Sequence, residues 1–250
     1  MSETHTFYVE PAAFGDTISM EGQELKHMVQ VLRLREGARV RVLDGEGHTA
    51  TAIITSAGKR SATLAVEEVT FTPAPASRAV VALALSKAVR RGFFMEKAVE
   101  LGAAEVWLWQ GDHSQGKLPA TEKDSWQAKM VAGIKQCGNP WLPRVRAFHE
   151  GVRGVVEAAA SFDHHVLPWE MQEGVPMLTA DVAGQPGMTI YVIGPEGGFS
   201  AAELDTLRGA GYAPVSFGRR ILRCETAATL CLGLHWWCSQ QAGRPDHPGI

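Results

Sequence analysis

The sequence predicts an α/β protein in which a parallel sheet covered by helices on both faces follows a small β-barrel or curled sheet. From residue 79 onward, continuous apolar runs such as AVVALALS and MTIYVIG alternate with segments whose apolar residues recur at helical spacing. The clearest such segment is KAVRRGFFMEKAVELG, which ends at Gly102. Strands that alternate with helices form parallel sheets buried on both faces. Further strands are predicted at AEVWLW, HHVLPW and APVSFG, and further helices at TEKDSWQAKMVAGIKQC and TAATLCLGLHWWCSQ.

The N-terminal residues have a different pattern. The runs ARVRVLDG, HTATAIITSAG and SATLAVEEVTF alternate apolar and polar residues and are separated by turns that contain glycine. This alternation is typical of half-buried strands, and it predicts the small β-barrel or curled sheet over residues 1–72. Pro73 and Pro75 then interrupt the pattern and mark a linker, so the second domain is expected over residues 73–250.

Composition excludes several classes of protein. With 250 residues and 45% hydrophobic content, the chain can bury a sizeable core. No apolar run approaches the roughly 20 residues of a membrane span, and the N-terminus lacks the features of an export signal. Cys224, Cys231 and Cys238 have the spacing of one helix face, not of a disulfide or zinc site. We therefore expect a cytoplasmic protein with reduced thiols, no metal and no membrane partner.

Charge argues against indiscriminate binding to nucleic acid, because the net charge is −3 and such binding needs many phosphate contacts. The basic residues are nevertheless clustered, and such clusters can bind phosphate locally. Solvated surface charge is the alternative interpretation. The two clusters are Lys26, Arg33, Arg35, Arg39 and Arg41, opposed only by Glu36, and Arg208, Arg219, Arg220 and Arg223.

The most informative stretch is MTIYVIGPEGGFSAAELDTLRGAG, residues 188–211. A buried strand leads into the turn at residues 194–198, and a helix then begins with Ser200 as N-cap and Glu203 three residues later, a capping box. Adjacent glycines let backbone groups approach a ligand closely. The spacing is neither GxGxxG nor GxxxxGK[ST], which disfavours a nicotinamide dinucleotide or a nucleoside triphosphate. A tight turn with a structural role only is the alternative.

A second loop, FGRRILRC, contains glycine and arginines and directly precedes the final apolar helix. Arg219, Arg220 and Arg223 cannot all be buried without partners, so some must face solvent, an acid such as Glu225, or a phosphate. Since this loop and the glycine turn both follow strands, we predict that they form one composite pocket.

Taken together, GPEGGFS and SFGRRILRCETA closely resemble the paired signature of the RsmE-like family, the ribosomal RNA uridine-N3 methyltransferases of the SPOUT class. The segment HMVQVLRLREGARVRVLDGEGHTATA resembles that family's accessory PUA-like β-barrel. In the middle of the chain, LSKAVRRGFFMEKAVELGAAEV resembles the stretch that opens its catalytic domain. The resemblance therefore covers nearly the whole chain.

The resemblance implies a trefoil knot in the C-terminal domain, a homodimer, and ribosomal RNA or the small ribosomal subunit as partner. Trp236 and Trp237 are expected in the core or in the dimer interface. The family resemblance also implies that S-adenosylmethionine is held by three loops. Transferred by position, the cofactor-binding residues are Leu167 and Pro168, then Gly194, Pro195, Glu196, Gly197 and Gly198, and finally Phe217, Gly218, Ile221, Leu222 and Arg223.

Chemical roles follow if uridine N3 is the acceptor, because its proton must leave and the negative charge on the ring needs a nearby cation. We assign Arg223 to stabilising that charge or to binding the target phosphate. Glu225 or Glu196 is assigned to orienting Arg223 or to accepting the proton. For Glu225, stabilisation of a helix N-terminus is the alternative.

Candidate contacts to RNA are Arg33, Arg35, Lys87 and Arg220. Arg33 and Arg35 lie in VLRLREG, either on one face of a strand or near a helix that ends before Gly37. For Arg33 and Arg35, a purely structural role is the alternative.

The sequence departs from the family pattern at positions associated with substrate contact. Thr6 stands in place of an arginine near the N-terminus, and the GDHS segment has His113 where the family usually has arginine. In KQCGN, Lys135 and Asn139 replace a glutamate and an arginine. His113 and Asn139, which stand where the family usually has arginines, motivate a first alternative, a non-catalytic RNA-binding protein of the same fold. A SPOUT methyltransferase that acts on transfer RNA is a second.

Overall fold

The computed structural model describes residues 4–120, 124–169 and 174–242. These residues form two compact units. The N-terminal unit contains the described chain up to Ala74 together with Val131–Leu142, and the C-terminal unit contains Pro75–Met130 and the described residues from Pro143 onward. Residues 131–142 lie within the predicted second domain, residues 73–250, but they belong to the N-terminal unit.

The N-terminal unit contains a five-stranded sheet with the order β1-β3-β4-β5-β2. Its strands are β1 (Thr6–Tyr8), β2 (Thr17–Met20), β3 (Arg39–Leu43), β4 (His48–Ala57) and β5 (Ala62–Phe71). Pairing is antiparallel except between β1 and β3. The apolar residues that alternate along these strands, among them Val40, Val42 and Ile54, form a buried core. The three predicted strands are therefore confirmed.

A helix, α1 (Gly22–Lys26), precedes β3 and continues as a π-helical turn, His27–Val31. The chain then turns through Arg33, whose φ of 55° lies in the left-handed region. Of the two alternatives for VLRLREG, the helix that ends before Gly37 is confirmed and the strand is wrong. Arg33 and Arg35 are both exposed.

The C-terminal unit contains a six-stranded sheet with the order β11-β9-β10-β6-β7-β8. Neighbours in this order pair in parallel, as predicted. The strands are β6 (Ser77–Ala84), β7 (Glu105–Trp109), β8 (Arg144–Phe148), β9 (His164–Pro168), β10 (Gly187–Ile193) and β11 (Ala213–Val215). Strand β8 was not predicted, because it is an edge strand whose arginines, Arg144 and Arg146, interrupt its apolar residues.

Six helices follow β6 in the described chain, and all but the second of them lie wholly in the C-terminal unit. They are α2 (Ala88–Glu100), α3 (Asp124–Cys137), α4 (Val152–Ala158), α5 (Ala180–Ala183), α6 (Ala201–Gly209) and α7 (Cys224–Ala242). Along β10, Ile190 belongs to the same buried cluster as Val155 of α4 and Leu207 of α6. The next residue, Tyr191, instead contacts His235 of α7. Because successive strand residues point to opposite faces, helices cover both faces of the sheet, as the sequence predicts.

The last helix, α7, contains the three cysteines with heptad spacing, of which Cys224 and Cys231 are buried. Trp236 and Trp237 are 39% and 55% exposed, which excludes the core and leaves the dimer interface as their predicted place. Across the three described ranges, no helix combines the length and the apolar character that a bilayer span requires.

Candidate active site

A cleft of about 650 Å³ lies at the carboxyl ends of β9, β10 and β11. Pro168 ends β9, Ile193 ends β10, and Phe217 follows β11, and all three line the cleft. Open parallel sheets bind ligands at the carboxyl ends of their strands. The volume falls within the roughly 300–1,000 Å³ of small-molecule sites, so the cleft can enclose a nucleoside-sized ligand.

The structure brings most of the predicted cofactor residues into this one cleft, and the composite pocket is therefore formed. Leu167 is the exception, because its side chain is fully buried in the core of the sheet while the next residue, Pro168, lines the cleft. The predicted residues that line the cleft are Pro168, Gly194, Pro195, Glu196, Gly197, Gly198, Phe217, Gly218, Arg220, Ile221, Leu222 and Arg223.

The turn at residues 194–198 depends on its glycines. Gly198 has a φ of 78°, in the left-handed region, and its amide donates to the carbonyl of Pro195 at 2.9 Å. A Cβ atom on Gly198 would meet no atom within 4 Å, so this position opens into free space. At Gly194, a Cβ atom would lie 2.7 Å from the ring of Phe199. The turn is thus both tight and open toward the cleft.

The helix after the turn, α6, begins with the predicted capping box. The amide of Glu203 donates to Ser200 Oγ at 3.3 Å, and the amide of Ser200 donates to Glu203 Oε2 at 2.8 Å. The other carboxylate oxygen, Oε1, accepts from the amide of Asp112 at 2.8 Å. The Glu203 carboxylate is buried, and it joins the turn to the segment after β7.

That segment is GDHS, residues 111–114, and sequence reasoning did not identify it as a support for the turn. Ser200 Oγ donates to Asp112 Oδ2 at 2.6 Å, and His113 Nδ1 lies 3.0 Å from the carbonyl oxygen of Gly198. A Cβ atom on Gly197 would lie 2.8 Å from Cβ of His113. These partners are more than 80 residues apart along the chain, so no local pattern reveals them.

We expect Glu203→Ala to lower the free energy of unfolding by about 3 kcal/mol, because two backbone amides lose a buried carboxylate acceptor. Urea denaturation followed by circular dichroism measures this change. Glu157→Ala is the matched control, since Glu157 is exposed on α4 and its loss should cost less than about 0.5 kcal/mol. Equal stability of the two variants would contradict the bridging role of Glu203.

The carboxylates of Glu196 and Glu225 are both paired with Arg90, a residue of α2 that the sequence analysis missed. Arg90 lines the cleft, and its Nη1 forms a close ion pair with Glu196 Oε1. Its Nε lies 3.7 Å from Glu225 Oε1. The available signal was the run KAVRRG directly after a buried strand, which places basic residues at the carboxyl edge of the sheet.

Cys224 also lines the cleft, and its thiol donates to Glu225 Oε2 at 3.3 Å. Burial, together with this hydrogen bond, raises the pKa of the Cys224 thiol to about 11. The thiol is therefore protonated at neutral pH, and it acts as a donor to Glu225 and not as a nucleophile. In the described ranges, no three His, Cys, Asp or Glu side chains form a group that could hold a metal ion.

The remaining predicted residues are exposed. Arg220 and Arg223 are exposed side chains on the wall of the cleft, and Lys87 precedes the first turn of α2 as its N-cap. Arg33 and Arg35 belong to the N-terminal unit. Cationic side chains in such positions are available to a polyanion.

Comparison with known proteins identifies the family. The sequence model of the RNA methyltransferase domain matches residues 72–236, about two thirds of the chain. The chain belongs to the RNA methyltransferase family. A second model, the RNA methyltransferase PUA domain, matches residues 21–67. The predicted resemblance to the RsmE-like family is confirmed.

Individual members of this RNA methyltransferase family support the assignment. The ribosomal RNA small subunit methyltransferase E of Mycobacterium bovis is 29% identical over 238 residues, which cover 91% of this chain and 89% of the relative. The protein of the same name from Synechocystis is 29% identical and covers 86% of this chain and 71% of the relative. The crystal structure of the Neisseria gonorrhoeae enzyme of this name, bound to S-adenosylmethionine, superposes with a TM-score of 0.80 at 25% identity. That match covers 92% of this chain and 95% of the other.

Proposed function

We propose that this RNA methyltransferase transfers a methyl group from S-adenosylmethionine to N3 of a uridine in small-subunit (16S) ribosomal RNA. The observation that carries the proposal is the single cleft into which Pro168, the turn at 194–198 and the loop from Phe217 to Arg223 converge. The names of the relatives support ribosomal RNA as the substrate. The resemblance to the RsmE-like family supports the uridine N3 atom as the acceptor.

The cleft suits a nucleoside that is polar at its edges and apolar along its body. Ile193, Leu204 and Leu222 supply apolar wall, while the glycine turn exposes backbone groups that can bind an adenine edge or a ribose. When bound, S-adenosylmethionine supplies an electrophilic methyl carbon. The chain supplies the position and orientation of the acceptor, which can contribute roughly 7–11 kcal/mol to catalysis.

Charged residues at the cleft account for the proton and for the charge on the base. In the proposed reaction, Glu225 or Glu196 accepts the N3 proton, and the electron pair left on N3 would form the bond to the methyl carbon. The bond between that carbon and the sulfonium sulfur would break at the same time, with S-adenosylhomocysteine as the leaving group. Arg223 stabilises the negative charge that spreads onto the uracil oxygens. Arg33, Arg35, Lys87 and Arg220 contact RNA phosphates, which fix the register of the substrate without reading its sequence.

Assembly and compartment are part of the proposal. We propose a homodimer, supported by large apolar side chains that are exposed on and beside α7: Ile221 at 79%, Leu230 at 38% and Trp237 at 55%. A cytoplasmic location follows from the proposed substrate, because ribosomal RNA is assembled and used there. The trefoil knot in the C-terminal unit stays a prediction from the family resemblance.

Mass spectrometry of RNA from a strain that lacks the gene tests the proposal. We expect one methylated uridine to disappear from 16S RNA and to return when the gene is supplied on a plasmid. Loss of a modified nucleotide from transfer RNA instead would favour the transfer RNA enzyme. If no nucleotide changes and calorimetry detects no binding of S-adenosylmethionine, the chain is a non-catalytic RNA-binding protein.

We expect His113→Ala to raise the dissociation constant for S-adenosylmethionine about fivefold. The turn loses the hydrogen bond between the imidazole and the carbonyl of Gly198, and such a bond contributes about 1 kcal/mol. Isothermal titration calorimetry measures the change. His149→Ala is the control, because His149 is exposed after β8 and does not line the cleft. If both variants bind the cofactor as the unmodified protein does, His113 does not support the turn.

A further inference from the structure

We infer that Arg90 is a positioning residue for methyl transfer, which holds the carboxylates of Glu196 and Glu225 at the cleft so that one of them can accept the proton of the target base. This inference rests on the proposed function and adds a residue to its machinery. The three side chains come from three separate parts of the chain.

Arg90 lies in the first turn of α2, Glu196 in the glycine turn after β10, and Glu225 in the first turn of α7. The guanidinium contacts both acids with different nitrogens: Nη1 pairs with Glu196, and Nε lies 3.7 Å from Glu225. A planar guanidinium presents several N–H groups in fixed directions, so one arginine can bridge two carboxylates. Lysine, with a single nitrogen, cannot reproduce this arrangement.

The charges at this site require such a bridge. The side chains of Arg90, Glu196 and Glu225 are only 24%, 20% and 9% exposed, so water screens them weakly. Within the described chain, the ion pairs of Glu196 and Glu225 are both with Arg90. Two partly buried carboxylates without a cation between them would repel each other, and an anionic RNA would increase that repulsion. Arg90 reduces the net charge of the group to −1.

The bridge leaves the two acids unequal. Glu196 shares a close ion pair with Arg90, whereas Glu225 lies farther from the guanidinium and accepts a hydrogen bond from the Cys224 thiol. The other cationic groups on the wall of the cleft are Arg220 and Arg223. Arg90 therefore fixes one carboxylate firmly and keeps the second close by at the cleft, where a general base must lie. Its effect on the reaction passes through these two acids.

Single-turnover methylation of small ribosomal subunits from the deletion strain, with labelled S-adenosylmethionine, tests the inference. We expect Arg90→Gln to lower the rate about 100-fold at neutral pH, because a positioned general base contributes at least that factor. The acidic limb of the pH–rate profile should also shift, because the carboxylate that accepts the proton loses its neighbouring cation. Arg90→Lys restores the charge but not the bridge, and its rate should be about tenfold higher than that of Arg90→Gln.

Two measurements that do not depend on turnover accompany this assay. Calorimetry should show an affinity for S-adenosylmethionine within about threefold of the unmodified protein for both variants, and thermal unfolding should show that they are folded. If Arg90→Gln fails to fold, the pH profile of Arg90→Lys decides the question. Arg153→Gln is the matched control, because Arg153 is exposed on α4 and does not line the cleft.

Double variants separate positioning from an independent role. If Arg90 acts through the carboxylates, Arg90→Gln combined with Glu196→Gln or Glu225→Gln should be no more than about threefold slower than the slower single variant. Fully additive losses would overturn the inference. So would an unshifted pH profile in Arg90→Gln, or equal losses in the Gln and Lys variants. Absence of methyl transfer by the unmodified protein would overturn the proposed function itself. If the unmodified protein and Arg90→Gln transfer the methyl group at the same rate, only the role of Arg90 is overturned.

Discussion

Gly198→Val is expected to weaken the binding of S-adenosylmethionine about 100-fold. The backbone of Gly198 has a φ of 78°, which a β-branched residue adopts only under strain. Because the position faces open space on the wall of the cleft, the isopropyl group would occupy volume that the cofactor needs. Together these effects should reduce the binding free energy by about 3 kcal/mol, which corresponds to a dissociation constant about 100-fold higher. Isothermal titration calorimetry measures it.

Gly211→Val is the matched control for this prediction. Gly211 has a φ of 81°, a Cβ atom there would also meet nothing within 4 Å, and the residue is exposed after α6, away from the cleft wall. The two variants therefore carry the same backbone strain and should lose similar stability. If Gly211→Val loses cofactor affinity as well, strain and not occupation of the cleft explains the effect. If Gly198→Val binds normally, the turn does not hold the cofactor.

Arg223→Ala is expected to slow methyl transfer to RNA by about 100-fold to 1,000-fold at saturating S-adenosylmethionine. This is the usual loss when a group that stabilises developing negative charge is removed. Arg223 lines the cleft at the end of the loop that precedes α7, directly before Cys224 and two residues before Glu225. Single-turnover assays with labelled cofactor and small ribosomal subunits measure the rate.

The control for this variant is Arg144→Ala, since Arg144 is an exposed residue of the edge strand β8 and does not line the cleft. It should methylate at the unmodified rate. Normal transfer by Arg223→Ala, with cofactor binding retained, would show that Arg223 stabilises neither the base nor its phosphate. If Arg223→Ala lowers only the affinity for RNA, Arg223 binds the target phosphate.

Local patterns predicted the parts of the fold that depend on neighbouring residues. The apolar runs of β6 and β10, the capping box at Ser200 and the glycine turn before it follow from burial and backbone geometry within a few residues. The convergence of the turn with the loop before α7 could also be predicted, because both follow strands of one parallel sheet. The family resemblance supplied the identity of the ligand.

Contacts between distant segments could not be predicted in this way. The bridge from Arg90 to Glu196 and Glu225 joins residues more than 100 positions apart, and nothing in the local sequence distinguishes Arg90 from its neighbour Arg91. The packing of residues 131–142 with the N-terminal unit also depends on tertiary contacts. An apolar helix pattern does not say which aromatic side chains face solvent, and for this reason the sequence could not choose between the core and a dimer interface for Trp236.

The buried Glu203 carboxylate, which accepts hydrogen bonds from Ser200 and Asp112, has a consequence for the kinetics of ligand entry. Since these bonds fix the start of α6 directly after the glycine turn, we expect the cofactor to meet a preorganised surface and to lose little affinity to the ordering of a loop. Association should then follow a single exponential phase whose rate rises linearly with cofactor concentration, without a slow rearrangement step.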